Sequence, residues 1–96
     1  MEGTVQFKGW TCNVVKHTYS NGRPALQLYA VDDGIAVAKA TVNVPEIVIP
    51  DTLVLIKDWA ENEGILNVLV SEGIVKDTGH QIQCGYVYAN VCELLI

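Results

Sequence analysis

The stretch KDWAENEGILNVLVSEG at residues 57–73 is the one part of this 96-residue chain with the periodicity and punctuation of a helix. Everything around it reads as strand and turn, so the chain must build a β-rich fold that gives a single helix a place to pack. Asp58 stands where an N-cap belongs, its carboxylate able to accept from backbone N–H groups that lack helical partners. Glu61, three residues on, completes the spacing of a capping box with Asp in place of Ser or Thr. Glu63 adds negative charge where the helix dipole favours it, and Gly73 suits the left-handed residue that closes a helix. The predicted helix runs over about 58–72. At about 100° per residue, Trp59, Leu66, Leu69 and Val70 share one face, with Ile65 at its edge. Asn62 falls inside that apolar stripe. Either it is the true N-cap of a helix that starts a turn later, or it is a buried amide holding a neighbouring strand or loop; ligand contact is a third reading.

The turn signals organise the rest. Residues 4–19 read as one or two strands interrupted near Gly9, with Phe7 and Trp10 as aromatic anchors. Ser20-Asn21-Gly22-Arg23 predicts a type I′ hairpin, whose return strand begins at Pro24. For Asp32-Asp33-Gly34, a three-residue loop with Gly34 left-handed pairs Val31 with Ile35, Leu28 with Ala38 and Leu26 with Ala40. That register collects Val15, Leu26, Leu28, Ala30, Ala36, Ala38, Ala40 and Val42 on one face and Lys16, Thr18, Gln27, Tyr29, Lys39 and Thr41 on the other. The small alanines make a shallow strip on which the helix face is expected to lie. Pro45 and Pro50 bracket a break, and residues 52–56 form a short strand before the helix. Strands follow from Ile74, with a turn expected at Asp77-Thr78-Gly79-His80. The predicted architecture is α+β: an antiparallel sheet of about five to six strands, hairpins first, with one α-helix on one face, in a single domain over residues 1–96.

Charge and composition narrow the function classes. Only 18% of residues are charged while 50% are hydrophobic, against roughly 25% charged in an average soluble domain. A chain this small has much surface to cover and few charges to cover it, which predicts an exposed apolar patch and a homodimer or partner interface. The net charge of −5 and the scattered Lys8, Lys16, Arg23, Lys39, Lys57 and Lys76 argue against direct nucleic-acid binding. Acidity suits docking onto a basic surface, including one that normally holds nucleic acid. The first ten residues, MEGTVQFKGW, lack an apolar signal-peptide region, and no run approaches transmembrane length. The expected location is cytoplasmic, with no membrane partner.

The sequence contains no phosphate-binding glycine loop, HExxH or GxSxG. Cys12, Cys84 and Cys92 have no CxxC spacing, and in a reducing compartment they read as small buried hydrophobes. Cys12 and His17 have opposite strand parity, so a regular strand points them to opposite faces. No catalytic residue, cofactor or metal is expected. Two surface groups remain as partner-binding candidates: Tyr29 and Lys39 on the polar sheet face, and Asp58, Glu61 and Glu63 at the helix start. Solvation explains most of the first, and capping explains most of the second.

The segments FKGWTCNVVKHTYSNGRPALQLYAVDDG, ATVNVPE and IKDWAENEGILNVLVSEGIV resemble a family of small proteins of unknown function from mobile elements and phages of gut anaerobic bacteria. The resemblance covers most of the chain, with ATVNVPE and KDWAENEG its most distinctive parts, and it brings no established binding or catalytic residues. It implies an accessory role of the kind such elements encode, often inhibition of host defence. The leading expectation is a non-enzymatic protein-binding module, an inhibitor of a host defence complex. A second reading is an oligomer that binds a nucleotide signal, and a third is an acidic DNA mimic or nucleic-acid accessory protein.

Overall fold

Residues 3–96 are described by the structure, a computed structural model. In chain order they form β1 (Thr4–Phe7), β2 (Trp10–Thr18), β3 (Pro24–Ala30), β4 (Ala36–Lys39), β5 (Leu53–Ile56), a 3-10 turn (Ala60–Asn62), α1 (Ile65–Ser71), β6 (Val75–Cys84) and β7 (Val87–Leu94). The α+β class and the antiparallel pairing agree with the sequence reading, but seven strands form two sheets instead of five or six forming one. The first sheet is a meander, β1-β2-β3-β4, and the second has the order β5-β7-β6.

The sheets meet where the chain leaves β4. Thr41 bridges Ile56, the Lys57 N–H donates to the Ala40 carbonyl at 2.8 Å, and the Val42 N–H donates to the Leu55 carbonyl at 3.0 Å. Backbone pairing therefore runs through all seven strands, with β1 and β6 at its two ends. Helix α1 packs against both end strands, closing the open side of the curl. Leu26 and Leu28 from the first sheet, Ile56 from the second, and Ile65 and Leu69 from α1 are fully buried in one core between these layers. Each such side chain contributes roughly 1.5–3 kcal/mol of burial. A smaller cluster of Leu55, Ala89 and Val91 lies on the opposite face of the second sheet, under Trp59 and the segment that carries Val42, Val44 and Ile49.

Loop lengths correct three expectations. The Gly22 N–H donates to the Tyr19 carbonyl and the Tyr19 N–H to that of Arg23, and Gly22 alone of the central residues has positive φ, at 87°. The first loop is thus three residues long, not a two-residue type I′ turn. That single residue moves β2 against β3, so Val14 faces Leu28, Val15 faces Gln27 and Lys16 faces Leu26. Val14 replaces Val15 in the core, and Lys16 lies on the inner-face parity, its ammonium donating to the Ile96 carbonyl. In the next loop the Gly34 N–H donates to the Ala30 carbonyl, and the Ala30 N–H donates to that of Ile35, which makes four loop residues where three were expected. A bulge at Val37 absorbs the extra residue, so Leu28 still pairs with Ala38 while Tyr29 pairs with Ala36. Residues 77–80 do not turn the chain: β6 runs through them with a bulge, and the reversal comes at Gly85-Tyr86. Positive φ at Gly85 alone is the type II′ pattern.

The helix is shorter than its sequence signal. Gly64 has φ 95° and ψ −8°, which separates the 3-10 turn from the seven-residue α1. Its N–H donates to one carboxylate oxygen of Asp58 at 2.7 Å, and the Leu66 N–H donates to the other at 3.3 Å. Asp58 does cap, but it caps a helix start six residues on. Trp59 precedes the helix and joins the smaller cluster, Val70 is exposed, and Ile65 and Val68 take the places predicted for them. Ala36 is exposed, Ala38 half-buried and Ala40 buried, and α1 lies mainly on β1 and β6, so the alanine strip is not the helix's principal bed.

Candidate functional site

In a meander the β1–β2 and β3–β4 connections share one end of the sheet. Here the Val31 N–H donates to the Thr11 carbonyl, which sets Trp10 beside the start of the Val31-to-Gly34 loop. Trp10, Val31 and Ile35 are 47%, 48% and 60% exposed at this end. Asp32 and Asp33 are exposed next to them, with an oxygen of Asp33 accepting from the Ile35 N–H at 3.1 Å. Lys8, in the β1–β2 turn, donates from its ammonium to the Glu61 carbonyl. That bond links the acidic 3-10 turn to the β1–β2 connection. The outcome is an end that exposes Trp10, Val31 and Ile35 beside Asp32 and Asp33, with the backbone of the acidic turn linked to it through Lys8.

The residues singled out in the sequence divide. Asp58 is committed to capping. Glu61 and Glu63 are exposed. A hydrogen bond from its own backbone N–H, then Lys57 beside it, hold the Glu61 carboxyl below its ordinary value; the Lys57 ammonium lies 3.0 Å from the Glu61 carboxylate. That exposed pair adds little stability. Lys39 is tied to the acidic turn through its carbonyl, which accepts from the buried Asn62 amide at 2.7 Å. Its ammonium sits 4.8 Å from the Tyr19 ring centroid. Tyr29 lies elsewhere on the outer face, its hydroxyl 3.0 Å from Nε2 of His17. Tyr29 and Lys39 thus each engage another ring, while Lys39 alone is linked to the acidic end.

Trp10, Val31 and Ile35 were not among the sequence candidates. Trp10 reads as a core anchor by its type, and its exposure follows from its place at the first position of β2, where the sheet ends. The available signal was the Lys8-Gly9 pair before it: both residues have positive φ, at 50° and 82°, the requirement of a two-residue type I′ turn.

The three cysteines are free. Burial pushes the Cys12 thiol up, and burial followed by the nearby Asp77 carboxylate pushes the Cys92 thiol up to about 12. Both shifts disfavour the thiolate, which is the reactive form. Cys12 is buried while His17, on the other face, is exposed. Among the described residues no group of three or more His, Cys, Asp and Glu side chains is placed to hold a metal ion, and no helix is long and apolar enough to cross a membrane. No protein-family model, curated protein or solved structure matches this chain.

Proposed function

We propose that this chain is a non-enzymatic protein-binding module acting in the cytoplasm, an accessory protein of a phage or mobile element that inhibits a host defence complex. The observation that carries the binding role is the end that exposes Trp10, Val31 and Ile35 beside Asp32 and Asp33, to which the Lys8–Glu61 bond links the exposed carboxylates of the acidic turn. Tryptophan is among the residues most enriched at interface hot spots. These carboxylates favour a partner whose facing surface is basic, and they speed encounter with that surface more than they tighten the complex. The accessory role rests on the resemblance of ATVNVPE and KDWAENEG to proteins of mobile elements.

Affinity purification of the tagged chain from host lysate, beside calorimetry against mono- and cyclic nucleotides, tests the reading. A specific protein partner without nucleotide heat is expected. Nucleotide heat without a protein partner sinks the proposal in favour of a signal-binding protein. With the partner in hand, Trp10→Ala is expected to weaken binding by 2 kcal/mol or more, on the order of thirtyfold. Glu61→Lys with Glu63→Lys is expected to slow association while leaving the circular dichroism spectrum unchanged. Unchanged binding in both variants would remove this end as the docking site.

A further inference from the structure

Residues 78–92, TGHQIQCGYVYANVC, contain no Asp, Glu, Lys or Arg, although six basic and eleven acidic residues are spread over the rest of the chain. The structure makes this run the distal part of the β6–β7 hairpin, and among the described residues β6 is an end strand, paired with β7 alone. Exposed sheet edges are normally blunted by lysine, proline or a bulge. The bulge between Asp77 and His80 does this for the proximal part of β6. From His80 to Cys84 the strand is regular and has none of these protections.

The geometry fixes what this edge presents. Cys84 and Val87 flank a two-residue turn, and the pair that flanks such a turn is a hydrogen-bonded pair. By alternation Cys84, Ile82 and His80 direct their backbone groups toward β7, and Gln81 and Gln83 direct theirs outward. On the side-chain faces, Ile82 is half-buried against the cluster of Leu55, Ala89 and Val91, and that cluster stops at the edge.

We propose that this edge pairs with the same edge of a second copy, antiparallel about a twofold axis at Ile82, joining two three-stranded sheets into one of six strands. The charge distribution selects a second copy as the occupant, and the register and the apolar cluster fit it. Each copy carries a net charge of −5, and the uncharged run is where two copies meet without opposing carboxylates. Only one register pairs the whole regular segment of five residues with itself, and its centre is Ile82. In that register Ile82 faces Ile82 of the second copy, which continues the small apolar cluster across the axis, and Gln81 faces Gln83 with their outward backbone groups in hydrogen-bonding position.

Light scattering across a dilution series gives the first result: a mass of twice 10.5 kDa is expected for the wild type, and a monomer throughout overturns the proposal. Gln81→Asp with Gln83→Asp sets four carboxylates about the axis and is expected to return the mass to that of one chain with an unchanged circular dichroism spectrum. A dimer that survives this change overturns the assignment to this edge. For the register, His80→Cys faces Cys84 of the second copy in a non-hydrogen-bonded pair, where a disulfide has room to form. Oxidation is expected to give a covalent dimer that Cys84→Ser abolishes. Cys12 and Cys92 are buried and do not compete. A dimer that His80→Cys fails to cross-link overturns the register.

Discussion

Asn62 has 1% of its surface exposed, and its amide nitrogen donates to the Lys39 carbonyl 23 positions earlier in the chain. That bond ties the 3-10 turn to β4 just before the two sheets join. Asn62→Ala leaves the Lys39 carbonyl without its donor, and a buried unsatisfied group costs about 1–3 kcal/mol. Urea unfolding should show that loss with an unchanged denaturant slope, and a change below about 0.5 kcal/mol would make the bond incidental. The sequence marked this residue as out of place in an apolar stripe. It did not reveal the partner, because a carbonyl belongs to every residue and leaves no mark of its own. Asp58 was legible as a cap for the opposite reason, since its side-chain chemistry is local, although the distance of its reach was not.

The sequence of α1 looks continuous from Asp58 because its apolar positions keep helical spacing on both sides of Gly64. The structure breaks it there, with Gly64 in the left-handed region. The two readings differ in the sign of one mutation. In an unbroken helix Gly64→Ala would stabilise by roughly 1 kcal/mol. In the broken one alanine must adopt a left-handed backbone, and the expected result is a loss of about 1–2 kcal/mol in thermal or urea unfolding. The strands teach a related lesson. Their existence was legible from Asn-Gly, Asp-Gly and proline positions, yet one extra residue in the first loop exchanged Val14 for Val15 in the core. Hydrophobic patterning could not decide between two adjacent valines, and the hydrogen bonds at Tyr19 and Gly22 did.

For the molecule as a whole, the class was legible and the division into two sheets was not. The division depends on the short seam of Ala40, Thr41 and Val42 against Leu55, Ile56 and Lys57, where the chain carries no turn signal. The seam and the shared core predict that the sheets unfold as one cooperative unit. Trp10 belongs to the first sheet and Trp59 to the cluster behind the second, so Trp10→Phe and Trp59→Phe leave one reporter in each. In urea each remaining tryptophan should change its fluorescence at the same midpoint as the loss of circular dichroism of that variant. Tryptophan and dichroism midpoints that separate within a variant would mean that the two halves unfold apart.

The position of β7 has a consequence for time. It is the strand latest in the sequence and the middle strand of its sheet, so β5 and β6 have no neighbour in that sheet until β7 arrives. The meander gains its contacts from adjacent segments and is able to assemble as it leaves the ribosome. In the second sheet only β5 has an earlier partner, its seam with Ala40, Thr41 and Val42, and the helix, which rests on one strand from each half, gains its β6 side only when β7 has set that strand. Most of the second sheet is therefore completed in a single late step, and until then part of the apolar surface of β5 and α1 is left to whatever meets the nascent chain.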